Sequence, residues 1–279
     1  MGVLNVTPDS FSDGGRWAST DAAIEHGLQL AAQGADLVDV GGESTRPGAT
    51  RVAPLEEQSR IVPVITELAR HSVRISVDTL NADTAEAAVA AGASVINDVS
   101  GGLADSRMAA VAARSGLTYI AMHWRGHAQE MGARAVYSNV VTEVRDELAG
   151  RVAALTAAGV KRSNLVLDPG LGFAKHADHD WELLAHLRAF DGLGLPMMVG
   201  ASRKRFVSAV LPPSASVLDR DLPSAVISVI AAQAGAWAVR VHDVSATRAA
   251  LNVLARLDAA RIGTGRIDSV PAASPGAAG

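Results

Sequence analysis

Short apolar runs alternating with longer stretches of helical periodicity set the organisation of this chain. Runs rich in Val, Ile and Leu fall at residues 2–6, 37–41, 73–77, 94–96, 118–122, 165–167, 196–200 and 238–241. Each is too short for a helix and apolar on both faces, the pattern of a parallel strand buried on two sides. Between them lie helical patterns, among them residues 21–33, 54–70, 84–91, 140–158 and 222–234. Every crossover is long enough for a right-handed βαβ unit. Four junctions share one signature, an Ala-rich stretch, a glycine and then a strand: AAQGADLVDVGG from 31, AAGASVINDVSGG from 90, ARSGLTYIAMHW from 113 and AQAGAWAVRVHD from 232. Alanine favours helix, and the glycine supplies the left-handed residue that ends it. Pro54 followed by Glu56 and Glu57 marks a helix start, while Pro63 is expected to kink or restart that helix.

Eight strands with eight crossovers predict an α/β fold, a single-domain (β/α)8 TIM barrel over residues 1–262. The tail 263–279, rich in Ala, Gly, Pro and Ser, is expected to be disordered. An open doubly wound sheet satisfies the same alternation. The placement of polar residues favours the barrel, because the carboxyl ends of all its strands face one shared site, whereas an open sheet concentrates chemistry at one switch point. Here the strand ends supply Asn5, Asp39 with Glu43, Asp78, Asn97 with Asp98, His123, Asp168, Ser202 with Lys204, and Arg240 with His242. Taken singly, a strand-end Asp or Asn is ordinarily a turn former or helix cap, and His123 is read as a satisfied structural residue. Together they place carboxylates, amides and cations around one rim, which solubility alone does not require.

Composition narrows the partners. The chain has 279 residues, 25 basic against 29 acidic for a formal charge of −4, and only 4% aromatics, which argues against nucleic acid. It contains no cysteine, which excludes disulfides, thiolate metal sites and a cysteine nucleophile. The most apolar long stretch, 225–239, carries Ser228, Gln233 and Gly235 and falls short of the roughly 20 apolar residues of a membrane span. No basic region precedes the first strand-like run, so no secretory signal is visible and a cytoplasmic location is expected. Two long polar loops, TPDSFSDGG from 7 and GGESTRPGATR from 41, are expected to form a pair of lids on the rim. Neither carries a P-loop or GxGxxG pattern, which disfavours nucleotide binding of those kinds.

The segments MGVLNVTPDSFSDGG, GGESTRPGA, SVDT, INDVSGG, LDPGLGFAK, GASRKRF and VRVHDV occur in this order. The series resembles that of the dihydropteroate synthase family, from residue 1 to about residue 261. The resemblance implies a (β/α)8 barrel, commonly a homodimer and a sulfonamide target. Its implied reaction joins (7,8-dihydropterin-6-yl)methyl diphosphate to p-aminobenzoate with Mg2+ assistance and releases pyrophosphate. A pterin's amino-pyrimidine edge offers an N–H pair to a carboxylate, and its ring nitrogens and carbonyl need amide and cationic partners. By similarity Asp78, Asn97, Asp168 and Lys204 bind the pterin, with Val99, Met122, Phe173 and Gly200 as apolar walls. The competing role for Asp78, capping the next helix, is better filled by Asn81 or Asp83.

Arg240 and His242, following strand eight, with Ser202 and the amides starting the helix after strand seven, are expected to hold the diphosphate together with Thr45 and Arg46. Asn5 is the implied Mg2+ contact, one protein ligand completed by diphosphate oxygens and water. In the implied mechanism the diphosphate leaves first and the arylamine attacks a resonance-stabilised methylene cation, so catalysis rests on positioning and electrostatics. Asp13, Arg46 and Lys204 are the expected catalytic residues, Asp13 by stabilising the cation. Phe11, Arg46, Pro47 and Arg205 are expected to hold p-aminobenzoate, its carboxylate at the helix start near Arg205. Departures from the family pattern are modest: His176 where a small polar residue is common, a divergent segment at 211–223, and a start almost at strand one. Two other readings remain, a pterin-binding methyltransferase on the same barrel and a non-catalytic paralogue. Arg240, His242 and the STRPGA loop count against the methyltransferase, which has no need of a diphosphate grip.

Overall fold

The computed structural model describes residues 1–7, 15–43, 51–127 and 130–263. Phe11, Asp13, Thr45, Arg46 and Pro47 lie outside the described residues, as do most of both expected lids and the tail from residue 264. Strand and helix alternate throughout: β1 (Gly2–Asn5), α1 (Gly15–Ala32), β2 (Val38–Gly41), α2 (Pro54–Arg70), β3 (Ile75–Asp78), α3 (Ala82–Ala91), β4 (Val95–Asp98), α4 (Met108–Ser115), β5 (Thr118–Met122), α5 (Val140–Ala157), β6 (Leu165–Asp168), α6 (Ala177–Ala185), β7 (Met198–Val199), α7 (Asp221–Gln233), β8 (Ala238–Val239) and α8 (Val244–Gly263). β1 to β6 form one parallel sheet in sequence order, and β7 pairs parallel with β8. Parallel bridges Leu167–Met197 and Gly2–Val241 join the two sheets on both sides and close the ring. The (β/α)8 barrel expected from the alternation is therefore present, and the open sheet is excluded.

The helix-to-strand junctions form for the expected reason. Gly34, Gly92, Gly116 and Gly235 all adopt positive φ. At Gly92, φ is 115° and a Cβ would lie 2.7 Å from the Ala69 Cβ, so both backbone conformation and space demand glycine. In α2, Ile61, Val64, Ile65 and Leu68 are buried against the barrel. Pro63 does not restart this helix, which runs unbroken from Pro54 to Arg70. Pro63 is on the exposed face, where water can satisfy the carbonyl that loses its hydrogen bond.

The expected capping at α3 is also corrected. Asn81 occupies the cap position, but its side chain makes no cap bond; it accepts from Arg51 at 2.8 Å and donates to buried Glu57 at 2.7 Å. Asp105, from the loop after β4, accepts from the Ala82 amide at 3.0 Å instead, and Asp83 pairs with Arg107. A cap brought by tertiary folding thus displaces the local one, because Asn81 is drawn into a buried polar network.

Strand register sets the level of the site. Asn5 is aligned with Gly41, Gly41 with Asp78, and Asp78 with Asn97, while Met122 is aligned with Asp168. Just outside this layer, Asp98 is fully buried and accepts from the Ser100 amide and hydroxyl, the Gly102 amide, and the Tyr119 hydroxyl at 2.6 Å. Tyr119→Phe removes a buried donor from this carboxylate and is expected to cost about 1–3 kcal/mol, read as a lower Tm in thermal denaturation. An unchanged Tm would show that Asp98 does not depend on the bond.

Candidate active site

The carboxyl ends of the strands gather the charges into one connected cluster. Asp39 sits in the middle of a four-residue strand whose residues are all buried, and is itself without solvent exposure. Its Oδ2 accepts from Arg240 Nε at 2.6 Å and from Asn97 Nδ2 at 3.1 Å. Arg240 Nη2 donates to Asp78 Oδ2 at 2.8 Å. One guanidinium following β8 therefore spans carboxylates on β2 and β3, leaving its Nη1 edge for a further partner. Gly200 lies alongside: a Cβ there would be 3.7 Å from the Arg240 Cβ and 3.8 Å from Asp168 Oδ2.

On the β6 side, the Asp168 Oδ1 accepts from the Gly170 amide at 2.7 Å. Lys204 Nζ donates to the Leu171 carbonyl and lies 4.6 Å from the centre of the Phe173 ring. Phe173 packs with Val99, Met122, Leu80 and Trp124 as one apolar cluster. Ser202 accepts from the His242 amide at 3.1 Å, and its hydroxyl lies 3.0 Å from His242 Nδ1. Asp78, Asn97, Asp168, Lys204, Arg240, Gly200, Val99, Met122 and Phe173 are thus brought to one end of the barrel, with Ser202 and His242 joined to each other after β7 and β8.

Arg205 is exposed, and among the described residues no hydrogen bond or ion pair ties its side chain to this cluster. The helix expected to start there is a six-residue 3-10 run, Arg205–Val210, whose carbonyls and amides align too briefly to sum to a strong dipole. The expected dipole contribution at Arg205 is withdrawn for that reason.

Burial dominates the electrostatics. It raises the Asp78 carboxyl above its ordinary range; Arg240 opposes the shift and neighbouring Asp39 adds to it. Burial likewise raises Asp168, with Lys204 and the Gly170 amide opposing. Burial works against the charge on Arg240, but Asp39 and Asp78 more than offset it, so the guanidinium stays charged. Burial pushes Lys204 down to about 8, although Asp168 and Asp180 favour its charge. Two raised carboxyls and one lowered ammonium in one cluster are the perturbed groups that mark a candidate binding site. Among the described residues no group of three or more His, Asp or Glu side chains is placed to hold a metal.

A family profile described as pterin binding enzyme matches residues 1–242. The chain is 51% identical over 263 residues to the dihydropteroate synthase of Mycobacterium leprae (strain TN), with 91% of each covered. This chain belongs to the dihydropteroate synthase family. A solved Xanthomonas albilineans dihydropteroate synthase with 4-aminobenzoic acid superposes with a TM-score of 0.87 at 43% identity, covering 93% of this chain and 92% of that one. The same organism's dihydropteroate synthase in complex with 7,8-dihydropteroate gives 0.83 at 40%, covering 93% of both. A Yersinia pestis dihydropteroate synthase in a sulfonamide drug complex gives 0.86 at 40%, covering 93% of this chain and 94% of that one. The chain is accordingly a transferase of this synthase family, and no helix among its described residues is long and apolar enough to cross a membrane.

Two members of the synthase site were not assigned from sequence. Asp39 is a strand-end carboxylate with no assigned role; the available signal is a lone charge inside an otherwise apolar strand. Lys175 was read only as part of a motif, yet it is buried behind Phe173. For Lys204 the sign of the pH effect follows from its lowered value. Below about 8 the ammonium is charged; above it the proton, and with it the positive charge, is lost. The kcat/KM of the synthase for pterin diphosphate is therefore expected to fall above about pH 8, with the limb moved upward in Lys204→Arg. A pH–rate profile with the same limb in both proteins would assign it to another group.

Proposed function

We propose that this chain condenses (7,8-dihydropterin-6-yl)methyl diphosphate with p-aminobenzoate, giving 7,8-dihydropteroate and pyrophosphate. The observation that carries this reading is the cluster of Asp78, Asp168, Lys204 and Arg240 in one barrel mouth of a dihydropteroate synthase family member. Asp78 and Asp168 accept from N–H groups of the pterin, Asn97 and Lys204 serve its ring nitrogens and carbonyl, and Val99, Met122, Phe173 and Gly200 wall the ring. Arg240, Ser202 and His242 receive the diphosphate, with Thr45 and Arg46 completing the grip from the second loop. The C–O bond to the diphosphate breaks first; the arylamine nitrogen then bonds to the methylene and sheds a proton. Asp13, Arg46 and Lys204 act in this step by charge, and Phe11, Arg46, Pro47 and Arg205 hold the aminobenzoate.

Asn5 suits Mg2+ as a hard oxygen donor in register with Gly41 beside Asp78, although one amide oxygen holds a divalent ion only when the diphosphate supplies more. When bound, the ion supplies charge neutralisation to the leaving group. Sulfonamides, as arylamine analogues, are inhibitors on this reading. A cytoplasmic location suits substrates that are charged and water-soluble. The methyltransferase reading shares Asp78, Asn97 and Asp168 but has no need of a diphosphate grip at Arg240 and His242.

The chain pairs as a homodimer in this reading. Leu218, Leu222, Val226 and Ile230 recur at four-residue spacing, and α7 packs on α8, which adds Val253 and Leu257. All six are exposed, and apolar side chains left exposed on two packed helices and the turn before them suit a two-fold contact with its own copy.

Incubation with pterin diphosphate, Mg2+ and p-aminobenzoate is expected to form dihydropteroate, and Asp78→Asn to abolish it with an unchanged circular dichroism spectrum; near-normal kcat/KM in that variant would sink the pterin assignment. Light scattering of the eluting protein is expected to give twice the chain mass, falling to the monomer in Val226→Glu. A wild-type monomer refutes the pairing.

A further inference from the structure

The loop between β6 and α6 is held from behind by a buried lysine that no step above uses. Gly170, Gly172 and Ala174 all have positive φ, at 68°, 75° and 46°. Glycine adopts this conformation freely, whereas Ala174 is strained in it. Gly170 also approaches β5 so closely that a Cβ would lie 2.5 Å from the His123 carbonyl oxygen. One backbone bond, from the Phe173 amide to the Gly170 carbonyl at 3.1 Å, lies within this turn, and each residue from 170 to 174 is also tethered by a side chain. Lys175 Nζ donates to the carbonyls of Gly170 and Phe173, both at 3.0 Å. Lys204 Nζ takes the Leu171 carbonyl, Asp180 accepts from the Gly172 amide at 2.7 Å, and the Tyr137 hydroxyl donates to the Ala174 carbonyl at 3.0 Å.

Lys175 is 7% exposed, and its third partner is His123 Nδ1 at 3.0 Å. An ammonium has three donors and no acceptor, so these three partners use it completely. While Lys175 is protonated, His123 Nδ1 is the acceptor, which puts the imidazole proton on Nε2, facing Glu147 Oε2 at 2.9 Å; burial pushes the lysine itself down to about 7. Burial pushes His123 down to about 4, in keeping with a neutral ring. Partial burial acts to raise Glu147, but hydrogen bonds from His123 and Arg125 hold the carboxylate down to about 2. Arg125 also pairs with Glu143 and lies 3.9 Å over the Tyr137 ring, which ties the frame to α5. The front of the same loop carries the Phe173 ring and receives Lys204.

We propose that Lys175 is a positioning residue of the pterin site, fixing the loop 170–174 from behind so that Phe173 and Lys204 stand where the pterin ring needs them. This rests on the pterin reading of the site. Lys175 touches no substrate in this role; it acts through the two carbonyls and through His123. A lysine serving stability alone would affect both substrates alike, whereas a positioning role is felt on the pterin side.

Lys175→Met keeps an unbranched side chain one atom shorter and removes all three donors. Its KM for pterin diphosphate is expected to rise about tenfold or more, as small misplacements of site groups do, with the p-aminobenzoate KM within about twofold. Hydrogen exchange of the 170–174 amides is expected to accelerate at least about tenfold. The chain has no native cysteine, so Lys175→Cys can be aminoethylated in the unfolded state and refolded to restore an ammonium at the same reach. Rescue of the pterin KM and of slow exchange by this treatment is expected. If Lys175→Met fails to fold, Tyr137→Phe removes one tether and is expected to shift the same two quantities by about two- to fivefold.

Equal effects on both KM values, an unchanged pterin KM or unchanged exchange would overturn the positioning role. Direct binding of pterin diphosphate separates the two claims. A wild-type chain that does not bind it refutes the functional reading and this inference together. A Lys175→Met variant that binds it as tightly as a binding-competent wild type refutes this inference alone.

Discussion

The arrangement of the site depends on one buried guanidinium. Arg240 follows β8, the last strand of the ring, and reaches past β1 to carboxylates on β2 and β3. A charge in a low-dielectric interior is tolerable only when paired, and removing either partner strands the other. Asp39 and Asp78 lie close enough to repel, so Arg240 is also what allows both to remain in the same mouth. β7 and β8 contribute only two residues each to regular pairing, and the ring is completed there by single bridges. The electrostatic link therefore crosses the ring where its backbone hydrogen bonding is sparsest. Closure and site assembly are served by the same residue.

The six-stranded sheet carries the carboxylates Asp39, Asp78 and Asp168 and the amide Asn97, while Ser202, Lys204, Arg240 and His242 lie in or after the two-stranded part. The regular half presents acceptors and the irregular half presents donors. Short strands buried along their whole length fix Asp78 and Asp168, since each is the last residue of a strand with a defined register. The donors are longer and less regularly anchored side chains, and they need other supports: Lys204 lies between Phe173 and the Leu171 carbonyl, and His242 is joined to Ser202. The loop after β6 stands between the halves, which is why so many side chains converge on its backbone.

This division explains what the sequence makes legible. The barrel could be read because each strand is a short apolar run closed by a polar residue and each junction glycine is forced by its φ, two local signals that agree. Asp78, Asn97, Asp168, Lys204 and Arg240 stood out as polar residues at the ends of such runs. Partners did not. Nothing near Asn81 in the chain shows that Arg51 and Glu57 will claim its side chain and leave Asp105 to cap α3. Nothing near Lys175 distinguishes a solvated loop lysine from one enclosed by His123 and two carbonyls. The helix start expected near Arg205 is a 3-10 turn instead, because nothing in the local sequence separates a short turn from a regular helix there. Whether a polar residue caps, pairs or faces solvent is settled by residues far away in sequence, so spacing alone could not decide it.

The ligand-free cluster also constrains what is worth binding. Arg240 is already shared between Asp39 and Asp78, so a simple anion gains from its Nη1 edge but does nothing for the carboxylates. A simple hydrogen-bond donor can satisfy Asp78 yet leaves the guanidinium as it was. Only a molecule that brings N–H donors to Asp78 and negative charge to Arg240 improves both, because donors at Asp78 free Nη2 to turn toward the anion. Raised carboxyls and a lowered ammonium sharpen this preference: burial disfavours the charged form of each, the opposite charges nearby favour it, and each gains when a polar ligand supplies hydrogen bonds in place of water. A flat ring with an amino-pyrimidine edge, joined through one carbon to a diphosphate, carries both features in a single rigid frame. On the proposed function, recognition of ring and leaving group is thereby coupled through Arg240.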